Sequence, residues 1–394
     1  MYVMYDICSY SFIKRMEDPL QNNNNHHQKE EEEIVKDNND NTTTTVQTIS
    51  VAVSESEPST AVIVPKTKAH FENGKWIDPY SKGATRSFSD MWKLVSARKE
   101  PKALTKEEKE HIHPVLKIDQ DLLRTPVAKG TARTTWIGHS TFFVQTPNGI
   151  SFLTDPVWSD RCSPLQWLGP KRYRDVPCKI QELPLGAADF VVVSHNHYDH
   201  LDHFAVMQLK DTVHWFVPSG LKEWFNGCGV TRVTELSWWE ETVYQDRYRL
   251  VCTPCKHYGQ RTLSDRYATL ACSWAIIDEL ENKKYWFAGD TAYCETFKEI
   301  GHHIGPIDFA FIPIGAYFPR WFMSEFHVSP VESVMIHQDI KAKQSVGMHW
   351  GTFRLTDEPY LEPPQFLKSE MEKANIPLEQ FFAMKIGETK TLLL

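Results

Sequence analysis

Ser194-His195-Asn196-His197-Tyr198-Asp199-His200-Leu201-Asp202 follows directly on the apolar run Phe190-Val191-Val192-Val193, giving H-x-H-x-D-H at the end of a buried strand. Residues two apart on an extended backbone share a face, so His195 and His197 can grip one ion together. Asp199 and His200 come where the chain must turn, and can reach a second ion beside the first. Imidazole and carboxylate ligands without a cysteine suit an open, catalytic zinc rather than a closed structural one. A surface loop that happens to be rich in histidine is the plain alternative, and the spacing and the preceding strand argue against it.

Three further candidates lie just past strand-like segments in the same manner. His257 ends Thr253-Pro254-Cys255-Lys256-His257, Asp290 lies in Trp286-Phe287-Ala288-Gly289-Asp290-Thr291, and His349 in Val346-Gly347-Met348-His349-Trp350-Gly351. Strand ends are rigid and gather at one edge of a sheet, so residues remote in sequence can converge there. Taken singly, His257 reads as a loop histidine, Asp290 as a turn carboxylate and His349 as a satisfied core histidine. Taken with the first cluster they make five histidines and two aspartates. Two ions about 3.5–4 Å apart need such a set, with one carboxylate bridging. His139 and Asp155 read as residues that orient ligands or close strands. His337 falls in a helical pattern and reads as a packing or surface residue.

The elements that must position these residues are strands alternating with helices. Strand candidates are Thr134–Ile137, Thr141–Gln145, Ile150–Leu153, Phe190–Val193, Trp215–Val217, Arg249–Cys252, Tyr267–Ile277, Tyr285–Ala288, Phe309–Pro313, Ser345–His349 and Phe381–Ile386. Helical stretches are expected around Phe204–Lys210, Leu221–Phe225, Pro330–Gln338 and Pro364–Lys373, which implies a layered α/β domain over residues 133–394. Residues 66–132 read as an extension packed on that domain, with a short helix capped by Ser89. Residues 1–65 carry polar low-complexity runs such as Asn22–Asn25, Glu30–Glu33 and Thr42–Thr45, and are expected to form a disordered leader.

A net charge of −8 gives no general reason to expect a nucleic-acid partner. The scattered cysteines and the lack of a secretory segment point to reduced thiols and an intracellular protein. Cys252 and Cys255 form a C-x-x-C, but Cys252 falls inside a strand and no second pair lies nearby, so neither a redox nor a zinc role is expected. No stretch approaches the ~20 apolar residues of a membrane span, so any membrane contact must be peripheral. The segment Val157–Arg174 mixes Trp158, Leu165, Trp167 and Tyr173 with Lys171, Arg172 and Arg174, the side chains that suit a lipid interface. Its plain alternative is a loop whose aromatics cover the core and whose cations are solvated.

The H-x-H-x-D-H run, the later histidine, the F-A-G-D-T segment and the final histidine resemble the metal motifs of the metallo-β-lactamase hydrolases. More narrowly, Trp136–Thr141, Leu153–Pro156, Gly169–Arg172, Ser194–Asp202, Phe287–Tyr293, Ile312–Tyr317, Pro319–Met323 and His349–Phe353 resemble the phospholipase D enzymes that hydrolyse N-acylphosphatidylethanolamines. The resemblance runs from about Arg133 to the C-terminus and implies a four-layer αββα sandwich. It also implies two Zn2+ per chain, one held by His195, His197 and His257, the other by Asp199, His200 and His349, with Asp290 bridging. Tyr198 and His327 would then face the substrate phosphate; a packing role for Tyr198 and a helix-entry role for His327 are the alternatives.

The reaction so implied releases an N-acylethanolamine and a phosphatidic acid, a zinc-bridging hydroxide attacking phosphorus in line. Asp290, His327 or a metal-bound water would protonate the leaving alkoxide, and the sequence leaves the choice open. The implied partner is a membrane N-acyl phospholipid met by peripheral contact, in an intracellular protein on Golgi or endosomal membranes and partly in the cytosol. A homodimer is compatible with the sequence. Vertebrate members bind bile acids through a Lys where this chain has Gln260, so bile-acid binding is not expected. Competing readings are another di-zinc hydrolase acting on a lactone, a thioester or a soluble phosphodiester, and a non-catalytic lipid-binding protein on the same fold.

Overall fold

The computed structural model describes residues 64–80, 87–97, 104–147, 149–186 and 189–394, so the leader expected over 1–65 lies almost wholly outside the described residues. Strands β1 (His70–Glu72) and β2 (Lys75–Ile77) pair as a hairpin in the extension. The strands that follow are β3 (Thr131–Gly138), β4 (Thr141–Gln145), β5 (Ser151–Thr154), β6 (Phe190–Val192), β7 (His214–Pro218) and β8 (Val233–Leu236). They continue as β9 (Glu241–Tyr244), β10 (Tyr248–Thr253), β11 (Ser273–Asp278), β12 (Lys283–Phe287), β13 (Ile307–Pro313), β14 (Ala342–Met348), β15 (Phe381–Phe382) and β16 (Thr389–Leu393). Helices are α1 (Phe88–Ala97), α2 (Gln120–Arg124), α3 (His203–Leu209), α4 (Lys222–Gly227), α5 (Thr296–His303), α6 (Arg320–Met323), α7 (Pro330–Asp339) and α8 (Glu362–Lys373).

The strands form two seven-stranded sheets, ordered β16-β3-β4-β5-β6-β7-β8 and β15-β14-β13-β12-β11-β10-β9. Each has an antiparallel half, β16 to β5 in one and β9 to β12 in the other, that passes into a parallel half. Alternation along β4 explains the layering. Phe142 and Val144 point into the core between the sheets, where Phe142 lies 4.8 Å from Phe311 of the opposite sheet. Phe143, one residue along, points the other way into a second core with Ala205, Val206 and Leu209 of α3 and Phe225 of α4. Helices α5 and α7 cover the far face of the second sheet with Phe297, Ile300, Val334 and Ile336, completing an αββα sandwich. Burying each such side chain contributes roughly 1.5–3 kcal/mol, so the scaffold under the strand ends is stiff.

Several expectations need adjustment. The run Tyr267–Ile277 is a strand only from Ser273; before that, Leu270 N donates to Ser219 O and Cys272 N to Ser194 O, so the chain crosses to the loops of the first sheet. The expected strand Phe381–Ile386 pairs only over Phe381–Phe382. β3 starts at Thr131, two residues before the expected domain start. The cap at α1 is Ser87 rather than Ser89: Asp90 N donates to Ser87 Oγ at 3.1 Å and Ser87 N to the Asp90 carboxylate at 3.0 Å. The extension does touch the sandwich, through Thr67 to Glu299, Trp76 N to Tyr267 O, and Leu94 against Phe322 and Met323.

Within Val157–Arg174 the cations divide. Arg172 is buried, its guanidinium donating to Ser159 O and Val157 O and lying 4.7 Å from the Phe353 ring. Arg174 donates to His113 O and Lys109 O, which ties the loop to the extension. Trp158 is buried and donates to Cys178 O. Leu165, Trp167 and Lys171 are exposed.

Candidate metal centre

Every candidate ligand follows a strand at one edge of the sandwich: His139 after β3, Asp155 after β5, His195 to His200 after β6, His257 after β10, Asp290 after β12 and His349 after β14. This is where open α/β sheets gather their chemistry. Close approach of the two sheets here requires Gly289, whose φ is +59°; a Cβ there would lie 2.4 Å from Ser194 Cβ. Asp290 can therefore enter between the two ligand groups.

The ligand atoms fall into two adjoining buried groups. In the first, His195 Nε2 lies 2.8 Å and His257 Nε2 3.3 Å from His197 Nδ1, and both His195 and His257 are 3.9 Å from Asp290 Oδ2. In the second, Asp199 Oδ2 lies 3.6 Å from His200 Nε2 and 3.5 Å from His349 Nε2, which are themselves 3.1 and 3.0 Å from Asp290 Oδ2. Tetrahedral ligands about 2.0–2.1 Å from an ion sit about 3.3–3.4 Å from each other, and the distances in both groups scatter about that value, from 2.8 to 3.9 Å. His200 Nε2, His349 Nε2 and Asp290 Oδ1 are buried with no hydrogen-bond partner. Such orphaned atoms are costly unless an ion satisfies them, and the donor set of imidazole and carboxylate fits zinc. All seven sequence candidates thus come together, with Asp290 shared.

His139 joins the second group, its Nε2 3.0 Å from Asp199 Oδ2, so it orients that carboxylate or adds a donor beside it. Asp155 serves both groups at once. Its Oδ2 accepts from His200 Nδ1 at 2.6 Å and from Ser194 Oγ at 2.5 Å, and Ser194 Oγ in turn lies 2.9 Å from His195 Nδ1. One carboxylate thereby sets the tautomer of an imidazole in each group, presenting Nε2 of both to the centre.

The charges follow from this enclosure. Burial lowers the basicity of His195 and His197 far below the ordinary imidazole value, and neighbouring imidazoles add to it. Burial opposes ionisation of Asp199 and Asp290, but the surrounding histidines, His200 foremost, hold both carboxyls well below the usual range. Burial also works against His349, yet Asp290 and Asp199 raise it to about 9. In the metal-free centre His200 and His349 therefore carry protons that balance the two carboxylates, positive charge held where a bound cation would take its place.

His327 reaches the same cavity from the segment after α6. Its Nδ1 is 3.8 Å from Asp290 Oδ2, its ring 5.1 Å from that of His349, and burial keeps it neutral. Tyr198, expected to face the substrate phosphate, is held by the loop after His257. Its hydroxyl donates to Arg261 O at 3.2 Å and its ring stacks on the Arg261 guanidinium. Arg261 was not among the sequence candidates, because its partners lie some sixty residues earlier in the chain. His337 is a buried packing residue on α7, with Nδ1 2.7 Å from Ser345 Oγ.

A family model described as a beta-lactamase superfamily domain matches residues 151–350. N-acyl-phosphatidylethanolamine-hydrolyzing phospholipase D 1 of Caenorhabditis elegans is 44% identical over 268 residues, covering 64% of this chain and 74% of the worm protein. The chain belongs to the N-acylphosphatidylethanolamine-hydrolysing phospholipase D family of the metallo-β-lactamase superfamily. A second family member, the Saccharomyces cerevisiae protein whose name carries the word mitochondrial, is 35% identical over 263 residues, 65% of this chain and 55% of the yeast one. A metal-dependent hydrolase of Listeria innocua is 27% identical over 190 residues, 46% of this chain and 74% of its own length. Igni18, a metallo hydrolase from Ignicoccus hospitalis, shares the fold with a TM-score of 0.50 at 19% identity, over 67% of this chain and 99% of its own. By family and fold, this phospholipase D-type protein is a metal-dependent hydrolase.

Proposed function

We propose that the protein is a two-zinc phosphodiesterase that cleaves N-acylphosphatidylethanolamine to an N-acylethanolamine and a phosphatidic acid. The observation that carries this reading is the pair of buried ligand groups sharing Asp290, with His327 beside them. The phospholipid substrate is the one for which the worm and yeast relatives are named. His195, His197 and His257 would hold one ion, Asp199, His200 and His349 the other, and Asp290 both. Bound there, the ions supply Lewis acidity toward the phosphoryl oxygens and bring the pKa of a water toward neutrality.

The protein's own residues do the rest. Asp155 and Ser194 keep the imidazoles facing inward. His327, neutral and 3.8 Å from Asp290, is placed to hydrogen-bond a phosphoryl oxygen or to carry a proton to the departing alkoxide. The enclosed site excludes bulk water from the ligand atoms, which strengthens each electrostatic contact. Among the described residues no helix is long and apolar enough to cross a membrane, and in this reading the protein meets its lipid peripherally. Leu165, Trp167 and Lys171 support such contact, because their loop is fastened to the segment after His349 through Tyr173 N and Thr352 O. Arg172 and Arg174 take no part, being committed internally.

The test is to supply vesicles containing N-acylphosphatidylethanolamine beside soluble phosphodiesters and to follow products by mass spectrometry. The reading expects N-acylethanolamine from vesicles at a rate that soluble diesters do not match. Turnover of soluble diesters alone would replace the lipid substrate with another of the superfamily.

A further inference from the structure

Arg261 joins the two loops that carry most of the metal ligands. It lies four residues after His257 in the connection from β10 to β11 and is 9% exposed. Its Nη1 donates to Asn196 O at 2.9 Å and to Leu201 O at 2.7 Å. Those two carbonyls bracket His197, Asp199 and His200. The guanidinium carbon is 4.0 Å from the centre of the Tyr198 ring and 5.1 Å from that of Trp224. Its own backbone is fixed as well: Arg261 N donates to Asp265 Oδ1 at 3.0 Å, Thr262 N to the same oxygen at 2.8 Å, and Tyr198 returns a hydrogen bond to Arg261 O.

The loop from Asn196 to Leu201 is otherwise held through its side chains, His200 on Asp155 and Asp199 on His139. Within it, His200 N and Leu201 N donate to His197 O, which makes one turn. The outward carbonyls at either end are buried, and without Arg261 they would lack this donor. A guanidinium is suited to the task because Nη1 serves both carbonyls while the flat face lies on an aromatic ring; an ammonium could reach the carbonyls but has no plane to stack. A cation engaged in this way is a clamp across the loops.

We propose that Arg261 is a positioning residue for the metal centre: its guanidinium locks the turn bearing His197, Asp199 and His200 against the loop bearing His257. The proposal rests on the two-metal reading above. Its consequence is that the affinity for metal, and not only the stability of the fold, depends on a residue that touches no ligand atom.

The test measures zinc affinity of the purified full-length chain by competition with a chromophoric chelator, together with thermal melting of the same samples. Arg261→Ala is expected to bind zinc about 10–100-fold more weakly, the range for residues that support ligands, with Arg261→Lys between it and wild type. The control is Arg247→Lys, which removes a bidentate hold on Asp278 at the end of β10 remote from His257. It is expected to lower the melting temperature and leave zinc affinity unchanged. If Arg261→Ala does not fold, Arg261→Lys carries the comparison, with a loss of about tenfold expected. Wild-type affinity in the Arg261 variants, or an equal loss in Arg247→Lys, would overturn the proposal while leaving the two-metal reading intact. A wild-type chain that binds no zinc would overturn both.

Discussion

Asp155→Asn isolates the orienting network with almost no change in volume. In the native protein Asp155 Oδ2 accepts from His200 Nδ1 and Ser194 Oγ, and Oδ1 accepts from Ser194 N at 2.7 Å. An amide offers one acceptor and one donor where two acceptors are needed. With its NH2 toward Ser194 N, two donors face each other, and a buried donor left unpaired costs about 1–3 kcal/mol. With its NH2 toward His200, the imidazole must accept at Nδ1 and carry its proton on Nε2, the atom aimed at Asp290 and Asp199. A protonated Nε2 cannot ligate. Zinc affinity should fall about 10–100-fold, which is about 1.4–2.7 kcal/mol. The assay is chelator competition, with nitrogen NMR of the labelled imidazoles to read the His200 tautomer. Unchanged affinity with the proton still on Nδ1 would refute the orienting role of Asp155.

Asp290→Asn should cut lipid hydrolysis by at least about 10²-fold and lower bound zinc toward one per chain, read by metal analysis. His327→Gln should reduce kcat by about 10²-fold or more, the scale of a lost general acid, while zinc content stays as in wild type; an unchanged kcat would remove His327 from the reaction. Stability should fall in mild acid for a reason separate from the metal centre. Burial holds His113 and His337 at about 4 in the native state, against about 6.5 when unfolded. The unfolded chain therefore binds more protons between those values, so stability rises with pH from about 4 to 6.5 and is lost as acid is added. The limit is roughly 3 kcal/mol per histidine, checked by denaturant melts across that range in wild type and His337→Asn.

The convergence of the seven candidate ligands could be read from the sequence because each follows a strand-like apolar segment, and strand ends gather at one edge. His257, Asp290 and His349 fit no local motif of their own, yet shared that placement. What the sequence concealed was anything that depends on contact between distant loops. Asp155 could be assigned to a strand end, but its reach through Ser194 to His195 depends on the packing of β5 beside β6. Arg261 looked like one charge in a polar loop, since the carbonyls it holds lie at Asn196 and Leu201. Edge strands were missed for a related reason. β9 alternates exposed and half-buried residues and β16 is mostly polar, so neither has the apolar run that marks a central strand. The stretch from Tyr267 to Cys272 has strand-like composition but spends its backbone hydrogen bonds on Ser219 and Ser194.

The central claim is that water attacks phosphorus at a centre built on Asp290. Hydrolysis of N-acylphosphatidylethanolamine vesicles in water enriched in oxygen-18 tests it most directly. The account predicts one labelled oxygen in the phosphatidic acid, none in the N-acylethanolamine, and both products from Asp290→Asn reduced by at least about 10²-fold. Label in the N-acylethanolamine, or products formed equally well by Asp290→Asn, would contradict it.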